Sequence, residues 1–186
     1  MLIKLSILML ITTTYSIVRY SVFGSVSSIH TPVYLLNKAI ALASVCCLLF
    51  TVFNFCKQAL DQTKLWGISA FHLACIHIVM SAFILNRDYF PKFFGTTQMN
   101  LAGELTVLFG VLASYAIWHA RHHHLTQVKP KVFQIIASIF ILGHLISLGY
   151  SGWLKAGLWY GGLPPISLLS FMIVIASMLF FITSKR

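Results

Sequence analysis

The chain has 186 residues, of which 59% are hydrophobic and 9% charged, with a formal net charge of +10 and only three acids. Soluble domains carry roughly one-quarter charged residues, so a water-soluble globule is excluded. The apolar runs are near 20 residues, whereas barrel strands are about half that and alternate in polarity, so a β-barrel is excluded too. The expected fold is therefore all-α, a polytopic six-transmembrane-helix bundle in one domain over residues 1–186, since backbone amides in hydrocarbon need partners within their own helix.

Six spans follow in chain order: Ile3 to Tyr20, Pro32 to Cys56, Leu65 to Leu85, Asn100 to Trp118, Val132 to Tyr150 and Pro164 to Ile182. The first also fits a signal peptide, because Lys4 precedes an apolar core; yet no small-x-small cleavage site stands out, and the stretch outruns a typical h-region. Thr31-Pro32 predicts an N-cap with proline in the first turn of the second span, and Pro164-Pro165 opens the sixth similarly. The cysteines, Cys46, Cys47, Cys56 and Cys75, form no CxxC or CxxCH pattern, which argues against disulfides, structural zinc and covalent haem. Trp66, Trp118, Trp153 and Trp159 fall at predicted span ends, where amphipathic rings prefer the interface. The links hold no soluble domain, and Ser151 to Leu163 reads as a Gly- and aromatic-rich re-entrant or interfacial loop.

Lys4, Lys57, Lys64, Arg121, Lys129, Lys131, Lys185 and Arg186 fall on the side of the termini, against Arg19, Lys38, Arg87, Lys92 and Lys155 on the other. The positive-inside rule then places both termini in the cytoplasm. In a soluble protein this charge would suggest nucleic acid. No basic patch is interleaved with stacking aromatics, so the expected partner of these cations is the lipid bilayer and not nucleic acid.

The chain carries eight histidines, and an ionisable side chain inside a bilayer is a functional candidate by default. His72, His77 and His144 are intramembrane. His77 lies twelve residues beyond Leu65 and His144 twelve beyond Val132, in spans that run in the same direction, so both imidazoles sit about 18 Å from the cytoplasmic ends. Two histidines at one depth on two helices suit axial ligation of a haem iron between them. Gly67, Ala70, Ala74, His77 and Ser81 share one helical face, and this stripe of small residues leaves room for something large and flat, which marks Ala74 and Ser81 as cofactor-lining candidates. Ala137, Gly143 and Ser147 near His144 fit the same idea. The competing reading is that small residues serve close helix packing and each histidine bonds to a neighbouring helix.

His72 is about 140° around the helix from His77 and cannot serve the same haem face; a buried structural role, a propionate contact or a second cofactor are its alternatives. The run His119, His122, His123, His124 closes the fourth span with an HxxHH spacing, that of one box in membrane di-iron hydroxylases and desaturases. Such sites need several boxes, and here there is one. A solvated interfacial cluster, proton uptake and docking are the other readings. Glu104 is the only acid inside a predicted span, within two turns of its outer end, where it could reach headgroups or serve a proton relay or quinone contact.

The third-span string LWGISAFHLACIHIVMSAFIL, preceded by Lys64 and containing Gly67 and an Ile-His-Ile centred on His77, resembles the ferric-reductase-like transmembrane superfamily. Within it the chain looks most like the haem-binding membrane subunit that partners periplasmic methionine sulfoxide reductase. Leu36-Asn37-Lys38 is similar to a Leu-Asn-Arg that recurs there, and His144 matches the distal histidine of the fifth span. Full ferric reductases and NADPH oxidases carry two histidines about 13 residues apart on each of these spans; here the corresponding positions are Lys131 and Phe90. The resemblance therefore implies one haem b in the outer half, held by His77 and His144, in a bacterial-type cytoplasmic membrane. The chain ends at Arg186 without flavin or NADPH domains, so electrons would come from a separate dehydrogenase or reductase subunit, through flavin or quinol, and pass to an outer acceptor. The expectation is an electron-transfer oxidoreductase subunit. A non-redox membrane protein with packing histidines and a membrane di-iron enzyme are the alternatives.

Overall fold

In a computed structural model, which describes residues 2–24, 31–96, 98–122 and 130–183, the chain is an all-α bundle of six helices, each long and apolar enough to cross a membrane. It is an integral membrane protein. The helices are α1 (Leu2–Ile17), α2 (Thr31–Cys56), α3 (Leu60–Ile84), α4 (Leu101–Arg121), α5 (Pro130–Trp153) and α6 (Ile166–Thr183). They alternate in direction, so the ends of α2 and α6 meet near the termini, where the Cys56 thiol bonds to Phe180 O at 3.6 Å.

Packing follows an arc. α3 lies on α2, α2 on α6, α6 on α5 and α5 on α4, with α1 on the outside of α2, while no extended packing joins α3 to α4 or α5. The arc is bridged near the terminal end by Phe71 against Trp118, ring centroids 6.3 Å apart. Toward the opposite, outer end it is capped by the segment between α3 and α4, where Ile84, Phe90 and Phe93 form a small core with Leu148 of α5 against it.

α1 is built into the bundle: Leu5, Leu8 and Met9 pack on a core of Ile40, Ala43, Cys47, Trp66 and Leu73, which the signal-peptide reading does not anticipate. Its outer end is a π-helical turn, Val18–Val22, that turns Arg19 inward to 4% exposure. Arg19 donates to Leu163 O, and its guanidinium lies 5.2 Å and 5.4 Å from the ring centroids of Tyr20 and Tyr160. Its Nε has no hydrogen-bond partner among the described residues.

α3 begins at Leu60, earlier than hydropathy alone predicts, because helical hydrogen bonding does not depend on side-chain hydropathy, and Asp61 in the first turn suits the helix dipole. The loop after α5 is a pair of 3-10 turns, Ala156–Leu158 and Tyr160–Gly162. Gly161 has φ +59°, and a Cβ there would meet the Phe23 ring at 2.4 Å, so the turn needs glycine twice over. Pro165 opens α6 as the sequence suggests, its carbonyl accepting from Leu168 N at 2.9 Å. Of the four tryptophans placed at interfaces, Trp66 and Trp153 are buried in the bundle instead; Trp153 Nε1 donates to Ser167 Oγ at 2.9 Å, which satisfies its polar atom there.

Candidate functional site

His77 is on α3 and His144 on α5, two helices that do not pack extensively on one another. His77 is seven residues before the end of α3 at Ile84 and His144 nine before the end of α5 at Trp153, a difference in depth of about 3 Å.

Each imidazole is pinned through the same nitrogen. His77 Nδ1 donates to Asn37 Oδ1 of α2 at 2.7 Å. The direction is set by Asn37 itself, whose Nδ2 donates to Ser81 Oγ at 3.1 Å and so leaves its oxygen toward the histidine. His144 Nδ1 lies 2.8 Å from Thr106 O of α4; a carbonyl can only accept, so the proton is on Nδ1. With Nδ1 protonated, the lone pair of each neutral imidazole is on Nε2. No polar partner of either Nε2 occurs among the described residues.

Gly110 leaves room for the ring of His144 against the α4 backbone. A Cβ on Gly110 would sit 3.2 Å from His144 Nδ1 and 3.6 Å from its Cε1. Gly143 plays the reciprocal part, its bare Cα facing the Phe109 ring at contact distance. The small-residue stripe of α3 is divided between two uses. Gly67 faces Thr51 of α2, and the Ala70 carbonyl accepts from Ser44 Oγ at 3.0 Å, so these two permit the close approach of α2 rather than making room for a flat group. Ser81 belongs to the histidine cluster, its Oγ 3.4 Å from His77 Nδ1; Ala74 is half-buried one turn before His77.

Two lysines lie toward the end of the bundle away from the termini. The Lys38 ammonium lies 5.2 Å from the Tyr34 ring centroid and 5.3 Å from that of Phe90, and Lys92 donates to Leu148 O at the outer end of α5. Although Lys92 as a residue is exposed, its ammonium is desolvated against the bundle and feels the Lys38 charge second, which together lower its pKa to about 8. Two neighbouring cations without a carboxylate partner among the described residues suit an anionic group.

Other sequence candidates fall elsewhere. His72 is exposed, not buried, and its ring lies 5.8 Å from that of Phe71. His119 packs between Tyr115 and Phe133, at centroid distances of 4.4 Å and 5.2 Å, and His122 Nδ1 is 3.0 Å from Trp118 O. His123 and His124 lie outside the described residues, as do Lys129, Lys185 and Arg186. Among the described residues no group of three or more His, Cys, Asp or Glu is placed to hold a metal ion. Glu104 is exposed in the first turn of α4, behind the Asn100 cap that accepts from Gly103 N at 3.0 Å. Sequence reasoning passed over Asn37 as a site residue, along with Thr106, Gly110 and the two lysines. For Asn37 the signal was available: a carboxamide within an apolar span is as costly as an imidazole there. No family model matches this chain, and no curated protein matches it.

Proposed function

We propose that the protein is a b-type haem membrane protein in which His77 and His144 would hold the haem iron through Nε2, and that it relays electrons to an acceptor at its outer face. One observation carries this reading: each imidazole is anchored at Nδ1 by an acceptor on a neighbouring helix, His77 by Asn37 of α2 and His144 by Thr106 of α4, which leaves the Nε2 lone pair of each free to ligate. Hydrogen bonding of the far nitrogen is how metal-ligating histidines are held in tautomer and orientation. Haem would supply one-electron chemistry, and two histidine ligands would favour electron transfer over oxygen binding. The chain's own contribution is to hold the two rings at matched depth, to exclude water with the Phe90 and Phe93 cap, and to offer the Lys38 and Lys92 ammoniums to carboxylates at the outer end of the bundle. In the same reading both termini face the cytoplasm of a bacterial-type membrane, and the electron donor is a separate dehydrogenase, flavin reductase or quinol.

A second reading has its own support. Asn37 to His77 and Thr106 to His144 are interhelical bonds in their own right, and Gly67 and Ala70 serve packing, as expected of a non-redox bundle with structural histidines. A reduced-minus-oxidised absorption spectrum of the purified protein separates the two. The haem reading expects the wild type to hold haem with the low-spin spectrum of bis-imidazole ligation, and His77→Ala and His144→Ala each to lose that spectrum. A wild type that stays colourless after reconstitution with haem refutes it.

A further inference from the structure

A groove of about 450 Å³ opens between α1, α2 and α3 at the end of the bundle that carries the described start of α1. Its walls include Ile7 and Ile11 of α1 and Phe50 of α2, with Trp66 of α3 at its back; the Phe50 and Trp66 ring centroids are 4.8 Å apart. Lys4 and Gln62 stand at its rim. Lys57 adds a second ammonium, 4.2 Å from the centroid of Phe53, itself a lining residue. From Lys4 to Ile11 the groove descends about 10 Å along α1, so polar groups cluster at headgroup depth and apolar ones below.

We propose that this groove is a binding site for one anionic phospholipid, its acyl chain against Ile7, Ile11 and Phe50 and its phosphodiester beside Lys4, Lys57 and the Gln62 amide. Charge complementarity selects the occupant. Among the described residues neither ammonium is paired with a carboxylate, and the one nearby acid, Asp61, sits in the first turn of α3, where the helix dipole already favours it. A zwitterionic lipid offers the two cations no net charge, and a free phosphate leaves the apolar walls uncovered. Basic pockets between helices at a membrane surface bind anionic headgroups in this way. The site is remote from His77 and His144 and independent of what they hold.

The test is native mass spectrometry of the protein released from nanodiscs containing equal phosphatidylglycerol and phosphatidylcholine. The wild type is expected to retain one phosphatidylglycerol in preference to phosphatidylcholine. Lys4→Gln and Lys57→Gln should each lower that preference about fivefold, and Ile11→Trp, which fills the groove from an exposed position, should remove the retained lipid at unchanged helicity by circular dichroism. Arg87→Gln, at the other end of the bundle, should leave the ratio unchanged. Equal retention of the two lipids, retention of neither, or a Lys4→Gln ratio no different from that of Arg87→Gln overturns the proposal.

Discussion

Asn37→Leu isolates the hydrogen bond on which the proposed function turns. Asn37 is 1% exposed, and its amide is committed at both ends, to His77 at 2.7 Å and to Ser81 at 3.1 Å. Leucine has similar volume and returns neither bond. The His77 Nδ1–H is then left in an apolar interior, an unsatisfied donor that costs roughly 1–3 kcal/mol, unless its proton moves to Nε2, the atom that ligation needs bare. Either outcome weakens the ligand, and loss of an outer-shell partner typically costs about 10–100-fold in metal affinity, or about 1.4–2.8 kcal/mol. Ser81 Oγ, already 3.4 Å from Nδ1, can become a substitute acceptor. Asn37→Leu alone should therefore fall near the tenfold end, and Asn37→Leu with Ser81→Ala near the hundredfold end. Interhelical hydrogen bonds in membranes contribute about 0.6 kcal/mol on average, so the bundle should survive both changes. Haem titration followed by Soret absorbance measures the affinity, with thermal melting of the helical signal alongside. A double variant that binds haem as tightly as the wild type would refute the argument that Asn37 sets the imidazole.

Gly110→Leu should abolish haem binding while leaving helicity intact, because the new side chain takes the space of the His144 ring that now bonds to Thr106 O; an undiminished Soret band in that variant sinks this account. Lys92 yields a pH dependence. Its native pKa of about 8 lies below its ordinary 10.5, so between those values the unfolded chain holds more protons and fold stability rises with pH. The native ammonium available to a carboxylate is lost as pH rises through about 8, so haem affinity should fall between pH 7 and pH 9. Dissociation constants measured across that range should flatten in Lys92→Gln, and an identical slope in the variant and the wild type would show that another group titrates.

The fold was legible because a bilayer leaves few options. Six apolar runs of spanning length admit only helices once barrels are excluded, and the expected spans agree with α1 to α6 apart from their ends. The ends differ where helical bonding outlasts the apolar run, as at Leu60, or where the chain changes helix type without changing hydropathy, as in the π turn at Val18–Val22. The arc itself was not legible, since a row of apolar residues packs equally well on any apolar neighbour. Trp66 and Trp153 show the same limit: tryptophan prefers the interface on average, but an indole with an acceptor such as Ser167 Oγ can be buried instead.

The site was half legible for a related reason. Periodicity gave His77 and His144 a common depth, because depth along a helix is a matter of counting residues. It did not give their partners, because Asn37, Thr106 and Gly110 lie on other helices and owe their roles to rotation and helix order. The stripe from Gly67 to Ser81 illustrates the difference. Its alignment on one face was a sound deduction, yet which helix that face meets was undetermined, and its first half meets α2 through Thr51 and Ser44. Asn37 carried the cross-helix information in its chemistry instead. A carboxamide at 1% exposure among apolar neighbours must find both a donor and an acceptor on another helix, and His77 and Ser81, four residues apart on α3, supply that pair on one helical face. The i, i+4 spacing of His77 and Ser81 is the complement that a carboxamide in a facing span requires, so residue chemistry by itself joins α2 to α3 at this site.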